Sequence, residues 1–330
     1  MGKVSIRDVA REAGVSIATV SNALNNSQVV HPKTREHVLA VAERLHYTSG
    51  QNAKRPRLSI NRVIDLFVSS MTGDYYSNLA DSIFYELSQY GYDLEIYLIR
   101  GQEDILRRLN ASRIDGALIF CGKMDDAQRQ KLLDCGLPIV FLDQEFCRRN
   151  VSCVLYHSYE AGRMAAEYLL GLGHRDLMHV QGLPCNYDSV ERQRGFDDVL
   201  RENGVSLRKE NLLEGRFERA AAYREMHQYL LTGCKLPDAI FAANDLSAIG
   251  VLDVLHDFHI RVPEDVSIIG CDDNLLASFV TPELTTIRTH MEAMGKTAAA
   301  EIIRLLLGES GRIERIPGSV IVRRSCALRE

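Results

Sequence analysis

Two sets of residues in this chain have types and spacing that could do chemistry. The first set sits where apolar runs end. Asp143 follows Ile139-Val140-Phe141-Leu142, Asn244 and Asp245 follow Ala239-Ile240-Phe241-Ala242-Ala243, and Asp272 follows Ile268-Ile269-Gly270-Cys271. Arg192 opens a predicted helix over 192–203. Carboxylates, an amide and a guanidinium beside aromatic rings suit a polyhydroxyl ligand. Hydroxyls need paired donors and acceptors, and sugar faces need apolar partners. Taken singly, each such residue is more often a loop carboxylate or a helix cap, and Asp245 is well placed to cap a helix from Leu246. The second set lies near the N-terminus. Asn22 can pair with N6 and N7 of adenine, and Ile17 and Ala18 can meet a thymine methyl. Ser16, Thr19, Ser21 and Asn25 suit contacts to phosphate.

The elements around the second set are short and amphipathic. Ser5 can cap a first helix, with Asp8 three residues on, and Ile6, Val9, Ala10 and Ala13 form its apolar stripe. Gly14 ends it with a positive φ. Ser16 caps a second helix that turns Val20, Ala23 and Leu24 inward. Pro32 suits the first position of a third, where Val38, Leu39, Val41, Ala42 and Leu45 close a three-helix core. Two helices joined by a tight turn, the second with small polar residues outward, form a unit that places one helix in a DNA major groove.

The elements around the first set alternate. Apolar strands are expected over 63–68, 94–98, 116–120 and 139–142, with a helix over 79–90 ended by Gly91. The pattern then repeats with strands over 177–180, 239–242 and 266–269. Tandem α/β lobes with parallel, doubly wound sheets imply a cleft at the C-terminal strand ends. Such a pair can close on a small ligand by a hinge motion.

Composition narrows the class. The chain has 330 residues and a net charge of −5, yet residues 1–60 carry nine Lys/Arg and four Asp/Glu. A head at +5 on a body at −10 suggests a polyanion bound at one end. No apolar run reaches the roughly 18 residues that span a bilayer, and the N-terminus lacks the apolar core of a signal peptide. No two of the eight cysteines stand at Cys-x-x-Cys spacing, so they read as reduced thiols, mostly buried in strands, in a cytoplasmic protein. No metal and no cofactor is expected. Gly-x-Gly-x-x-Gly, P-loop, His-Glu-x-x-His and Gly-x-Ser-x-Gly motifs are absent, which weighs against an enzyme. A binding protein for transport would need an export signal, and an architectural DNA protein would show little sequence preference.

The segments Asp8-Val9-Ala10, Ala13-Gly14-Val15-Ser16, Thr19-Val20-Ser21, Leu24-Asn25, Lys33-Thr34-Arg35 and Leu45-His46-Tyr47 resemble the headpiece of the lactose repressor (LacI/GalR) family. The body resembles the same family through Gly171-Leu172-Gly173-His174-Arg175, Arg192-Gln193-Arg194-Gly195-Phe196, Ala243-Asn244-Asp245-Leu246-Ser247, Gly270-Cys271-Asp272-Asp273 and Leu284-Thr285-Thr286-Ile287. The resemblance implies a helix-turn-helix head (1–47), a hinge (48–61) and a two-lobed, periplasmic-binding-protein-like body (62–330). It implies a dimeric transcription regulator, with the helix over 78–90 near the interface, that binds an operator under the control of a small effector, a sugar or sugar derivative. It places Asp143, Tyr156, Arg192, Phe217, Asn244 and Asp272 around that effector. Cys271 stands where relatives commonly have tyrosine, and Thr289 where they often have glutamine.

The hinge departs from the family pattern. Ala53 and Lys54 match its small-then-basic pair, but Ser49 stands where proline is usual and Pro56 where a leucine wedges into the minor groove. Proline disrupts a helix interior and biases Arg55 before it out of helix. Pro56 as the wedge, Leu58 as the wedge, and a basic linker touching phosphate through Lys54, Arg55 and Arg57 all remain open.

Overall fold

The computed structural model of the protein describes residues 6–24, 30–45, 61–71, 74–111, 113–122 and 124–329. Ser5, Asn25, Lys54, Arg55 and Pro56 lie outside them, as do the side chains of Ala18, Ser21 and Asn22.

Three helices form the head: α1 (Ile6–Glu12), α2 (Ile17–Leu24) and α3 (Pro32–Arg44). Gly14 has the expected positive φ, +65°. The Ser16 hydroxyl accepts the Thr19 N–H at 3.0 Å, the expected cap of α2. Pro32 opens α3. Val9, Ala10, Ala13, Val20, Ala23, Val38, Val41 and Ala42 make a core of their own.

The first lobe begins with β1 (Val63–Val68), α4 (Asp74–Gln89), β2 (Asp93–Leu98), α5 (Gln102–Ala111), β3 (Gly116–Phe120), α6 (Asp126–Asp134), β4 (Ile139–Phe141) and β5 (Val151–Tyr156). The second holds α7 (Ser158–Gly171), β6 (Leu177–Gln181), α8 (Tyr187–Glu202), β7 (Leu212–Glu214), α9 (Arg219–Leu231), β8 (Ala239–Ala242), α10 (Asp245–Asp257), β9 (Ser267–Asp272) and β10 (Thr285–Arg288). The chain then returns to the first lobe with α11 (Met291–Leu306) and β11 (Ile313–Ile316), and finishes in the second with β12 (Ser319–Ile321). The sheets run β2-β1-β3-β4-β5-β11 and β7-β6-β8-β9-β10-β12, so the two lobes share one topology. Every pairing between these strands is parallel except β10 with β12. The central strands are covered on both faces, which is why they read as unbroken apolar runs. Each lobe carries one apolar cluster per sheet face.

Several expectations need correction. α8 starts at Tyr187, so Arg192 lies inside the helix and does not open it. The reason is Asn186, whose side chain accepts the Ser189 N–H at 3.1 Å and sets the start earlier. α4 starts at Asp74, ahead of the expected Leu79. The cap of α10 is Asn244, and Asp245 is its first helical residue. Only Cys153 and Cys271 are buried; Cys185 is exposed and the other five are intermediate.

The lobes are joined by three crossings of the chain, after β5, after β10 and after β11. They converge at Gly318. A Cβ there would overlap the Tyr156 hydroxyl and crowd the Arg288 carbonyl, one residue from each of the other two crossings.

Candidate functional site

In both lobes the C-terminal ends of the strands supply the polar groups. Asp143 stands two residues beyond β4 and is 1% exposed. The Gly122 N–H donates to its Oδ2, while Oδ1 has no partner. Burial pushes its carboxyl up to about 8; the Gly122 hydrogen bond works against this and the field of Asp188 adds to it. Asp143 is thus mostly protonated at neutral pH. The N-terminal turn of α4 brings Tyr75 and Tyr76 against Phe120, with Tyr75 and Tyr76 edge to face at 5.2 Å. Burial raises the Tyr75 hydroxyl well above its ordinary pKa, and Asp188 and Asp272 of the other lobe raise it further.

Arg192 is the centre of the second wall and is 2% exposed. Its Nη1 donates to the Ala243 carbonyl at 2.5 Å, and its Nη2 lies 3.7 Å from Asp272 Oδ1. The guanidinium stands over the rings of Tyr156 (5.6 Å) and Phe217 (5.9 Å). Its Nε is buried without a partner. Burial opposes the charge, but Cys271, Asp272, Asp188 and Tyr156 outweigh it and raise the pKa. Close helix packing fixes this side chain. A Cβ on Gly162 of α7 would overlap the Arg192 carbonyl, and one on Gly195 of α8 the Tyr159 carbonyl. Beneath it, His179 stacks between Phe196 and Phe241 at 5.5 and 4.8 Å. Burial pushes the His179 imidazole down to about 4, so it is neutral.

The remaining candidates divide by what they touch. Asn244 spends its amide on the scaffold: Oδ1 accepts the Ser247 N–H at 2.9 Å and Nδ2 donates to the Phe217 carbonyl at 3.2 Å. It therefore fixes the turn at Phe217, whose φ is +63°. Tyr156 is buried and its hydroxyl donates to the Arg288 carbonyl at 3.5 Å. Asp272 has φ +119° and Asp273 φ +56°, both strained for non-glycine residues. Two neighbours hold this turn. Asp245 accepts the Thr286 hydroxyl at 2.5 Å and the Asn274 N–H at 2.8 Å. Asp273 is gripped by Arg288 at 2.6 Å and Arg323 at 2.5 Å.

Asp188, Tyr75 and Tyr76 were not foreseen. Asp188 accepts the Ser158 hydroxyl at 2.5 Å. Its signal in the sequence was the Asn186-to-Ser189 cap, which puts Asp188 in the first turn of α8. The tyrosines precede the expected start of α4.

In the head, Ile17 is exposed at the start of α2. The Thr19 hydroxyl lies 2.8 Å from that of Ser16. Among the described residues no helix is long and apolar enough to cross a membrane, and no group of His, Cys, Asp or Glu could hold a metal.

Comparison with known proteins places this geometry. Residues 5–49 match the profile of the lacI family of bacterial regulatory proteins, and residues 166–326 match a periplasmic binding protein-like domain. The HTH-type transcriptional repressor PurR of Erwinia tasmaniensis is 32% identical over 332 residues, covering 98% of this chain and 97% of the relative. PurR of Pectobacterium carotovorum is 30% identical over 333 residues, covering 98% of this chain and 97% of that one. Among solved structures, a complex of the transcriptional regulator CelR with cellobiose superposes with a TM-score of 0.75 at 27% identity, covering 98% of this chain and 100% of that chain. The lac repressor dimer bound to operator and the anti-inducer ONPF gives 0.72 at 26% identity, covering 99% and 100%.

Proposed function

Because this chain belongs to the LacI family of bacterial regulatory proteins, we propose that it is a transcriptional repressor whose hold on an operator is set by a small effector between its lobes. The effector is a sugar or sugar derivative. One observation carries this reading: two buried polar atoms without partners, Asp143 Oδ1 and Arg192 Nε, occur on different lobes in one polar and aromatic constellation. A ligand that satisfies both bridges the lobes. In this reading Asp143, Tyr156, Arg192, Phe217 and Asp272 meet the effector and Asn244 holds Phe217 in place. The CelR complex, with cellobiose, supports a carbohydrate.

The head (1–47) reads bases through Asn22, Ile17 and Ala18, with Ser16, Thr19, Ser21 and Asn25 against phosphate and Ser5 also at the DNA. The segment 48–61 links it to the body (62–330), with Lys54, Arg55 and Pro56 against DNA. The protein acts as a cytoplasmic dimer and is not an enzyme. Phe84 and Tyr85 on α4 are 55% and 63% exposed, and Leu98 on the edge strand β2 is 65% exposed. Large exposed apolar residues of this kind suit burial against a second copy.

Operator selection from random DNA tests the proposal, using the full-length protein at moderate salt with and without a panel of sugars. A near-palindrome whose binding shifts with a sugar is the expected result. Enrichment that no sugar alters would refute sugar control, and no enrichment at all would refute specific DNA binding.

A further inference from the structure

The cleft is already supplied with negative charge. Asp188 and Asp272 supply it from the second lobe, and the Arg192 guanidinium faces Asp272 at 3.7 Å. Asp143 of the first lobe, held mostly protonated by burial, adds a hydrogen-bonding carboxyl and not a charge. Asp188 is buried and accepts the Ser158 hydroxyl, with no arginine or lysine in ion-pair contact among the described residues. Its field reaches the opposite lobe, where it adds to the burial that chiefly raises the pKa of Tyr75, Tyr76 and Asp143.

Anionic ligands are held in two usual ways, and on the second-lobe wall both are already engaged. One is a helix N-terminus with free N–H groups and a positive dipole end. The N-termini of α8 and α10, which follow cleft-end loops, are capped by Asn186 and Asn244. The first turn of α8 also carries Asp188. The other is a guanidinium fork or a pair of cations. Arg192 gives one Nη1 N–H to Ala243 and turns Nη2 toward Asp272 at 3.7 Å, so both outer nitrogens of its fork already face protein acceptors, while Nε is buried without a partner. A phosphate or carboxylate would meet a guanidinium already turned to Ala243 and Asp272, and the fields of Asp188 and Asp272. A hydroxyl or ammonium group would meet acceptors on both walls and, in the Tyr75 hydroxyl and Arg192 Nε, matching donors.

We infer that the effector carries no phosphate or carboxylate and presents hydroxyl or ammonium donors, and that Asp188 is the residue that enforces this choice. The inference rests on the effector-cleft reading above. Rejection by a repulsive charge is a means of specificity distinct from a better fit to the accepted ligand.

The test uses full-length protein, thermal shift and calorimetry. The probes are cellobiose, D-glucose, D-galactose, D-ribose and D-glucosamine, with glucose 6-phosphate, galactose 6-phosphate, ribose 5-phosphate and glucosamine 6-phosphate. At least one unphosphorylated compound should bind, and its phosphate ester should bind at least tenfold more weakly. A preference for glucosamine would mark the ammonium as the donor read; a preference for a neutral sugar, the hydroxyls. Asp188→Asn should narrow the gap between parent and ester at least fivefold, and Asp188→Ser should do the same if the amide variant does not fold. Ser158→Ala, which removes only the partner of Asp188, should leave the ratio in place. An ester that binds as tightly as its parent overturns the inference, as does an unchanged ratio in both Asp188 variants. A panel in which no unphosphorylated compound binds overturns it too. Tight ester binding would leave the effector cleft standing, whereas failure of operator selection would remove the regulator reading itself.

Discussion

The Tyr156 hydroxyl donates to the Arg288 carbonyl at 3.5 Å, and so ties the first crossing between the lobes to the second. Gly318 of the third crossing lies against both. Any side chain at 318 must push the other two crossings apart. Gly318→Leu should therefore cost about 1–3 kcal/mol through overpacking. Thermal unfolding would show this as a fall of several degrees in Tm. An unchanged Tm would mean that the three crossings do not form a tight joint.

Asp143 gives a dependence on pH whose sign can be worked out. Its carboxyl is raised by burial to about 8, against about 4 in an unfolded chain. Between these values the native state holds a proton that the unfolded state has released. Stability contributed at this site falls as pH rises through that window and levels off above about 8. Asp143→Asn cannot lose a proton, so its Tm relative to the parent protein should climb between pH 5 and pH 9. A constant difference across that range would mean the carboxyl titrates normally.

Asp272 is held in a strained turn by Asp245, Thr286 and Asn274 on one side and by Asp273 on the other. Strain maintained by so many partners is characteristic of a residue that must present its side chain in one direction. Asp272→Ala should weaken the effector identified by the sugar panel at least tenfold and abolish its influence on operator binding. Full affinity and full response in the variant would displace Asp272 from the site.

An asparagine amide can pair with both N6 and N7 of adenine, which is the role proposed for Asn22. Asn22→Ala should weaken specific binding by about 1–3 kcal/mol while leaving binding to unrelated DNA nearly intact. Gel shifts at fixed salt on both DNAs would decide this, and an equal loss on both would assign Asn22 to phosphate.

Phe84 and Tyr85 lie exposed on α4. A double Phe84→Glu, Tyr85→Glu change should yield monomers in light scattering and lose operator affinity, because one head alone spans one half-site. A dimer of unchanged mass would place the interface elsewhere.

Strands such as 116–120 and 239–242 were legible because they form unbroken apolar runs, the mark of a sheet covered on both faces; β5, β7 and β10 were not read as strands. The head was legible through Gly14, Ser16 and Pro32, each with a single strong local role. The start of α8 was missed because its cap, Asn186, precedes a polar first turn, and the apolar pattern begins only at Phe196. That error hid Asp188, the residue on which the charge of the cleft turns. β11 and β12 were missed for a different reason. Both are short edge strands, and β11 alternates Ile313-Glu314-Arg315-Ile316, so a long-range pairing defines it. The Asp273 grip by Arg288 and Arg323 likewise joins residues distant in the chain, and no local pattern announces it.

Both sheets receive their outermost strand from the last stretch of chain, β11 alongside β5 and β12 alongside β10. During synthesis, β1 to β5 emerge ahead of the second lobe, yet the first lobe still lacks α11 and one edge until residue 316 has emerged. The second lobe waits until residue 321. The helical head, by contrast, has its whole core within the first 45 residues. A ribosome that stalls or stops early thus releases a chain that carries a finished DNA reader on two lobes with open sheet edges, the form most exposed to aggregation and proteolysis.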